Sequence, residues 1–547
     1  MSLLKNSSLL LAASFNGLAM THIHAQVIDN DGKRPNVLLV ISDDQSFEHT
    51  SFAGSNFVST PGFDRVAKSG IYFLNGYASS PGSAPSRGSM VTGRHHWQNE
   101  QSGQHASSWM KKHVPFVDLL TQTGYHTGYT GKGVEPFQYA RNENDSLWRV
   151  GNAAGKPYNR ILYGSDGVDD VRVAKGISRL DYFANFKDFL EDKDQDQPFY
   201  FWFGSNEPHR GYEKDSWKRT DKELSMVDVP GFLPDNDEIR GDLLDYAVEI
   251  EWYDRHLVKI LNHLQEIGEL DNTIVIVTAD NGMPFPRAKA YNYEYGVHVP
   301  LAISYPERFP GNRVSSDLVS FIDIAPTILE LAGVSEEGML PITGKSLVSL
   351  LESTDSGNIS GSKNINESRK YVFSGRERHS YSRWNNMGFP QRAVRSGDYL
   401  LVWNMKPELW PAGDLQAIKP NSDGELYPLY GIDERGVYRS GWAFTDIDDS
   451  PSKSFIIENH DDLNIESYFN LAFGKVPEFE LYNVSDDPYC LENIYGRYAH
   501  ILIGNKLKKA LFEELERTGD PRIAGPDKEV FDSYKRYVGP MREFPPH

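Results

Sequence analysis

The chain carries short stretches that are apolar at every position, set between longer stretches with a helical repeat. The first is Asn36 to Ile41 (NVLLVI), and two more follow at Phe199 to Phe203 (FYFWF) and Thr273 to Thr278 (TIVIVT). Continuous runs of this length predict strands covered on both faces. A weaker run, His126 to Tyr129, predicts a fourth strand. Between them, Val114 to Gln122, Asp181 to Leu190 and Asp242 to Glu266 show helical spacing. Strands alternating with helices predict an α/β sheet. Each strand ends in a polar segment: SDDQ after the first, Gly131-Lys132-Gly133 after the fourth, GSNEPHR and ADNG after the other two. Ligands of such sheets gather at the carboxyl ends of strands. One edge is therefore expected to collect Asp43, Asp44, Lys132, His209, Asp280 and Asn281.

The pattern changes after Glu352. A Ser/Asn/Gly-rich stretch reaches Lys370, and strand-like runs follow at Lys370 to Ser374 and Tyr399 to Trp403, with a late helix over Asn505 to Glu516. A catalytic domain over 26–355 and a second unit over 370–547 with a small antiparallel sheet are expected. A length of 547 residues suits two unequal domains. At the other end, Lys5 precedes a mostly apolar stretch from Leu9 to Met20, and Ala25 offers a small residue before Gln26. This reads as an export signal over 1–25, too short for a membrane span, and implies a periplasmic or secreted bacterial protein. No later segment has the length and apolarity of a span.

Composition narrows the chemistry. Apolar residues make up 39 % and aromatics 12 %, as in a globular protein, and the net charge of −20 excludes a general nucleic-acid binder. The single cysteine, Cys490, rules out an internal disulfide and a cysteine-based metal site. Adjacent aspartates at a strand end commonly cap a helix, and Asp-Asn-Gly is commonly a turn. Their convergence changes the reading, because carboxylates brought together repel unless a cation neutralises them. An all-oxygen set favours calcium over magnesium without deciding between them. A further stretch, SAPSRGSMVTGR from Ser83 to Arg94, places Pro85 in the first turn of a helix continuing through Val91. Ser83 then lies at a helix N-terminus, either as an ordinary cap or where free N–H groups attract an anion.

Ser83-Ala84-Pro85-Ser86-Arg87 with Thr92-Gly93-Arg94 resembles the signature of the sulfatase family of the alkaline phosphatase superfamily. The resemblance extends from NVLLVISDDQ through FIDIAPTILELAGV to ELYNVSDDPY. It implies a large mixed sheet sandwiched by helices, as in alkaline phosphatase, with a smaller C-terminal α+β subdomain. It also implies that Ser83 is the precursor of formylglycine (3-oxoalanine), made by a radical S-adenosylmethionine maturase. By the same resemblance Asp43, Asp44, Asp280, Asn281 and the modified Ser83 match the ligands of one Ca²⁺ per chain. Arg87 matches the arginine that steadies the formylglycine hydrate, Lys132 and Lys289 the sulfate-holding lysines, and His209 the histidine near the leaving oxygen.

Two positions depart from the family pattern. Val134 stands where a histidine usually follows the lysine, which leaves that role unassigned, and Tyr295-Gly296-Val297-His298 replaces a Gly-Gly-x-Arg, so that His298 is either structural or in touch with substrate. Arg210 and the Gly375-Arg376-Glu377-Arg378-His379 stretch are expected near the substrate, either reading an acidic sugar or forming surface ion pairs. The GRERH, GKG and EPHRGYE segments resemble heparan N-sulfatases and ulvan-acting sulfatases, which implies a sulfated polysaccharide or its fragments as substrate. An N-sulfoglucosamine sulfohydrolase, a phosphomonoester or phosphonate hydrolase, and a non-catalytic sulfated-glycan binder are the alternatives.

Overall fold

A computed structural model describes residues 33–140, 146–149, 151–165, 167–353, 369–537 and 541–546. The expected export signal and most of the linker after Glu352 lie outside the described residues. In chain order the strands are β1 (Asn36–Ser42), β2 (Ile71–Phe73), β3 (Gly76–Tyr77), β4 (His126–Gly131), β5 (Lys156–Pro157), β6 (Phe199–Gly204) and β7 (Thr273–Ala279). They continue with β8 (Leu301–Ser304), β9 (Arg313–Ser315), β10 (Val319–Ser320), β11 (Val372–Arg376), β12 (Gln391–Ser396), β13 (Tyr399–Asn404) and β14 (Phe479–Asn483). The helices nearest the site are α1 (Pro61–Ser69), α2 (Ser83–Thr92), α3 (Phe116–Gln122), α4 (Tyr182–Glu191) and α5 (Asp237–Glu266).

The large sheet has the order β5-β4-β6-β1-β7-β8-β2-β9. From β5 to β7 neighbouring strands are parallel, and β8 runs antiparallel to both of its neighbours, so the sheet is mixed. The apolar runs are continuous because both faces are covered. Leu38, Val40, Phe201, Phe203, Val275 and Val277 pack against Phe186 and Phe189 of α4 and Leu243, Ala247 and Leu257 of α5. The intervening residues Val37, Leu39, Ile41, Tyr200, Trp202 and Ile276 pack on the other side against Phe116 and Leu120 of α3. Burying each such side chain stabilises the fold by about 1.5–3 kcal/mol.

Helix α5 begins before its apolar pattern does. Asn236 caps it, accepting a hydrogen bond from the Ile239 N–H at 3.1 Å, and Asp237 and Glu238 complement the helix dipole in the first turn. Strands β2, β8 and β9 are too short for hydrophobic periodicity to reveal them.

The second sheet, β11-β12-β13-β14, is antiparallel throughout. Its alternation points two ways. Ala393, Leu400, Val402 and Tyr482 join the core of the large sheet, whereas Val394, Leu401 and Leu481 lie under Leu507, Leu511 and Leu515 of the helix Ile501–Thr518. The small sheet is thus fused to the body by one of its faces.

Candidate active site

The sheet order explains how distant residues meet. β4, β6, β1 and β7 are neighbours, with Gly131 opposite Gly204, Ile41 opposite Gly204, and Ser42 opposite Ala279. The residues just beyond these ends therefore emerge side by side: Lys132, the loop to His209, Asp43-Asp44, and Asp280-Asn281. The turn at Lys132 requires glycine. Gly131 has φ 77°, and a Cβ there would stand 1.9 Å from the Gly204 carbonyl oxygen. A Cβ on Gly204 would stand 1.9 Å from the Lys132 carbonyl oxygen.

Gly82, not Ser83, is the N-cap of α2, so Ser83 is the first helical residue and its side chain caps nothing. Its hydroxyl instead donates toward Asp43 Oδ1 at 2.9 Å and Asn281 Oδ1 at 3.3 Å. Asn281 Nδ2 donates to Asp44 Oδ1 at 2.8 Å, and the Asp44 N–H to Asp280 Oδ1 at 3.0 Å. Asp44 is itself left-handed, at φ 77°. One carboxylate oxygen from each of Asp43, Asp44 and Asp280 lies within 4.8 Å of the others, and all three residues are buried. With the Asn281 amide oxygen and Ser83 Oγ alongside, this is an all-oxygen donor set, which suits a hard divalent cation.

Cations surround the acids. Arg87 is fully buried; its Nε donates to Asp280 Oδ2 at 2.7 Å, one terminal nitrogen donates to the Lys132 carbonyl at 2.7 Å, and the other is 3.7 Å from Asp43 Oδ1. Lys132 Nζ donates to both Asp43 oxygens, at 2.8 and 2.6 Å. Lys289 Nζ bridges Asp44 Oδ2 at 2.6 Å and Asp448 Oδ2 at 2.9 Å. His209 Nδ1 donates to the Arg210 carbonyl at 2.6 Å, so Nε2, 3.9 Å from Asp44 Oδ2, is the nitrogen facing the acids.

These neighbours set the charges. Burial opposes ionisation of Asp43, yet Lys132, His209, Arg87 and Lys289 together hold its carboxyl well below the usual range. Burial and the Asp43 charge push Asp280 up to about 6, against the pull of Arg87 and Lys132. Burial disfavours the Lys289 charge, but Asp44, Asp448 and Asp43 outweigh it and raise its pKa. Asp43 is thus a poor base for the Ser83 hydroxyl, and no histidine or lysine donates to or accepts from that oxygen among the described residues. A Ser-His pair is absent there, so an unmodified serine lacks an activating base.

The substrate residues expected from the sequence divide. His379 does reach the site: a Cβ on Gly82 would come within 2.9 Å of its Nδ1. Arg376 and Arg378 do not present their charge to it. Arg376 is buried against the Phe389 and Pro411 carbonyls and Asp446. Arg378 is buried against the Tyr534 and His105 carbonyls and Ser107. Arg210 forms a bidentate pair with Asp242 and lies over the rings of Tyr212 and Phe285. His298 is structural: it stacks between Phe47 and Tyr77, and its Nε2 bonds the Leu74 carbonyl at 2.9 Å. The common reason is that an arginine or histidine buried in a protein of this size needs internal partners, and here each has them.

Sequence reasoning missed Asp448. It sits in the acidic run Asp446-Ile447-Asp448-Asp449, which reads as a solvated loop. Three observations place it: the bond to Lys289, a carboxylate oxygen grouped with Asp44 and His209, and a pKa that Lys289 and His209 pull down against burial.

Comparison with known proteins identifies the family. The profile of the family described as Sulfatase matches residues 35–334, and one described as the C-terminal region of N-sulphoglucosamine sulphohydrolase matches residues 287–419. Human N-sulphoglucosamine sulphohydrolase is 26 % identical over 530 residues, covering 90 % of this chain and 92 % of the relative. An ulvan-active sulfatase of Formosa agariphila is 23 % identical over 501 residues, covering 89 % and 81 %. Among solved structures, a protein in complex with its substrate D-glucosamine-2-N,6-O-disulfate superposes with TM-score 0.60 at 20 % identity, covering 90 % of this chain and all of the other. The phosphonate monoester hydrolase of Agrobacterium radiobacter superposes with TM-score 0.60 at 15 % identity, covering 89 % and 96 %. At those identities the two structures speak for the fold, an alkaline phosphatase-like sheet with a C-terminal subdomain. The profile spans more than half of the chain, and the chain belongs to the sulfatase family, whose members are sulfuric ester hydrolases.

Proposed function

We propose that this sulfatase releases sulfate from a sulfated saccharide, with Ser83 as the modified nucleophile and Asp43, Asp44, Asp280 and Asn281 around a calcium ion. The observation that carries the reading is the convergence of three buried carboxylates, one of which accepts from the Ser83 hydroxyl while Lys132 and Lys289 hold two of them. A bound cation would act as a Lewis acid on a sulfate oxygen, and formylglycine would supply two hydroxyls on one carbon in place of a lone serine hydroxyl. The chain's own groups do the rest. Lys132 and Lys289 offset charge on the sulfuryl oxygens, and losing one such contact costs about 10²–10³ in rate. Arg87 fixes Asp280 and the backbone at Lys132 and Gly133. His209, with Nδ1 committed to the Arg210 carbonyl and a side chain 37 % exposed, delivers a proton from Nε2 to the leaving atom.

A saccharide substrate is supported by the relatives' names, which include N-sulphoglucosamine, N-acetylglucosamine-6-O- and ulvan sulfatases. The same names keep both O-sulfate and N-sulfate groups in view as the scissile group. The solved phosphonate monoester hydrolase motivates a second reading, hydrolysis of phosphate or phosphonate monoesters. Export through the first 25 residues and maturation by a radical S-adenosylmethionine enzyme belong to the same proposal. The test is sulfate release from a panel of sulfated saccharides, beside aryl sulfate and aryl phosphate, with protein made with and without a maturase that accepts serine. Peptide mass spectrometry should find residue 83 two hydrogens lighter only in the active preparation. High activity with intact Ser83, or faster turnover of the phosphate, overturns the reading.

A further inference from the structure

A cavity of about 740 Å³ opens beside the site, and the mechanism above does not use it. Two chain segments run from the reacting groups straight into it. His209 faces Asp44, and the next residues, Arg210 to Tyr212, line the cavity. Asp448 holds Lys289, and the next residues, Asp449 to Pro451, line the cavity too. The proton for the leaving atom comes from His209 in the reading above, so the unit being desulfated lies against His209, and its neighbour is the unit that can reach a cavity lined by the residues following His209 and Asp448.

The lining has a definite chemistry. Each of its two cations has a carboxylate beside it: Arg210 is buried against Asp242, whose Oδ2 also accepts from Ser452, and Lys214 meets Glu238 at 2.6 Å on the surface. Asp245 is taken up by the Ser216 hydroxyl and by the N–H groups of Asp215 and Trp217. Asp449 has no hydrogen bond or ion pair among the described residues, and Glu458 accepts only the Tyr438 N–H, at 3.3 Å. Tyr212 and Phe455 add half-buried rings. Free carboxylates accept sugar hydroxyls, and rings cover the apolar faces of sugars. A sulfate entering here would meet a lining in which five carboxylates face two cations, and two of those carboxylates, Asp449 and Glu458, have no cation paired with them among the described residues, a like-charge encounter.

We propose that this cavity is the subsite for the sugar unit next to the one being desulfated, and that it takes a unit carrying no sulfate. The inference rests on the saccharide reading above and narrows it to substrates whose charge is concentrated in the unit being desulfated.

The test uses two disaccharides with the same sulfated unit, one with its neighbour unsulfated and one with it sulfated. For the matured enzyme, kcat/KM should be higher for the first by about tenfold or more. The double variant Asp449→Lys, Glu458→Lys should reduce or invert that ratio and leave aryl sulfate hydrolysis unchanged. Calorimetry on protein with unoxidised Ser83 should show the same order of binding. An equal or reversed preference in binding, or variants that slow aryl sulfate as much as disaccharide, overturns the subsite. Correct binding order without sulfate release from either disaccharide would instead strike the saccharide hydrolase reading.

Discussion

Two clusters of buried charge, one at the edge of the large sheet and one at the junction with the small sheet, are both built from acids and basic side chains. At the edge of the large sheet, Asp43, Asp44 and Asp280 crowd together, and Arg87, Lys132 and Lys289 close around them. At the junction with the small sheet, signs alternate. Arg376 and Arg383 share Asp446, Arg392 lies between Glu377 and Asp520, and Arg522 takes the other oxygen of Glu377. At both clusters each charge has a partner of opposite sign. The edge differs in that three carboxylates converge on one point, where burial and the Asp43 charge push Asp280 up to about 6. Convergent like charge marks the place where a cation and a substrate belong, whereas alternating charge marks structure.

The comparison is broken most directly at the nucleophile. Ser83→Ala should reduce sulfate release to background while costing only about 1 kcal/mol of stability, since the hydroxyl makes two side-chain hydrogen bonds. A large loss of stability would mean that the edge, too, is primarily structural. Its counterpart at the junction is Asp520→Ala, which removes a fully buried partner of Arg392 at 2.6 Å. Breaking such a pair costs about 3–5 kcal/mol. Urea unfolding should show that loss, and kcat of the folded enzyme should stay within about twofold, because Asp520 bonds Arg392 and the Arg522 N–H and none of the groups around Ser83. Loss of kcat without loss of stability would reverse the assignment of the two clusters.

The sheet edge was legible in the sequence because β1, β6 and β7 are buried throughout and because these strands and β4 each end in a polar break. The α2 start was legible through the spacing of Ser83, Pro85 and Arg87, though Gly82 and not Ser83 proved to be the cap. Arg376, Arg378 and Arg210 could not be placed from sequence for a physical reason: a guanidinium in a loop reads the same whether it meets solvent, substrate, backbone carbonyls or a buried carboxylate. What decides is a partner remote in sequence, Asp446 for Arg376 and Asp242 for Arg210. Asp448 was invisible on the same ground, since its role depends on Lys289, 159 positions away.

A third way of burying a titratable group, as a neutral one, separates the catalytic body from both clusters. His49 is 3 % exposed, among the rings of Phe57, Tyr246 and Tyr295, with Nδ1 3.2 Å from the Tyr246 hydroxyl. Burial lowers its pKa to about 3 from an ordinary value of 6.5. The unfolded chain therefore binds a proton between those values and the folded one does not. The stability that His49 contributes is fully present above pH 6.5 and is lost as the pH falls toward 3. Between pH 7 and pH 5 this single group should cost about 2 kcal/mol. Replacing it by a side chain that cannot titrate removes that slope. Whatever His49→Gln costs at pH 7, its stability relative to the unchanged protein should rise by about 2 kcal/mol when both are measured at pH 5. Urea unfolding at the two pH values reads the difference directly. Parallel pH profiles for the two proteins would mean that His49 keeps an ordinary pKa, and that the body carries its imidazoles charged and paired, as the clusters carry their arginines.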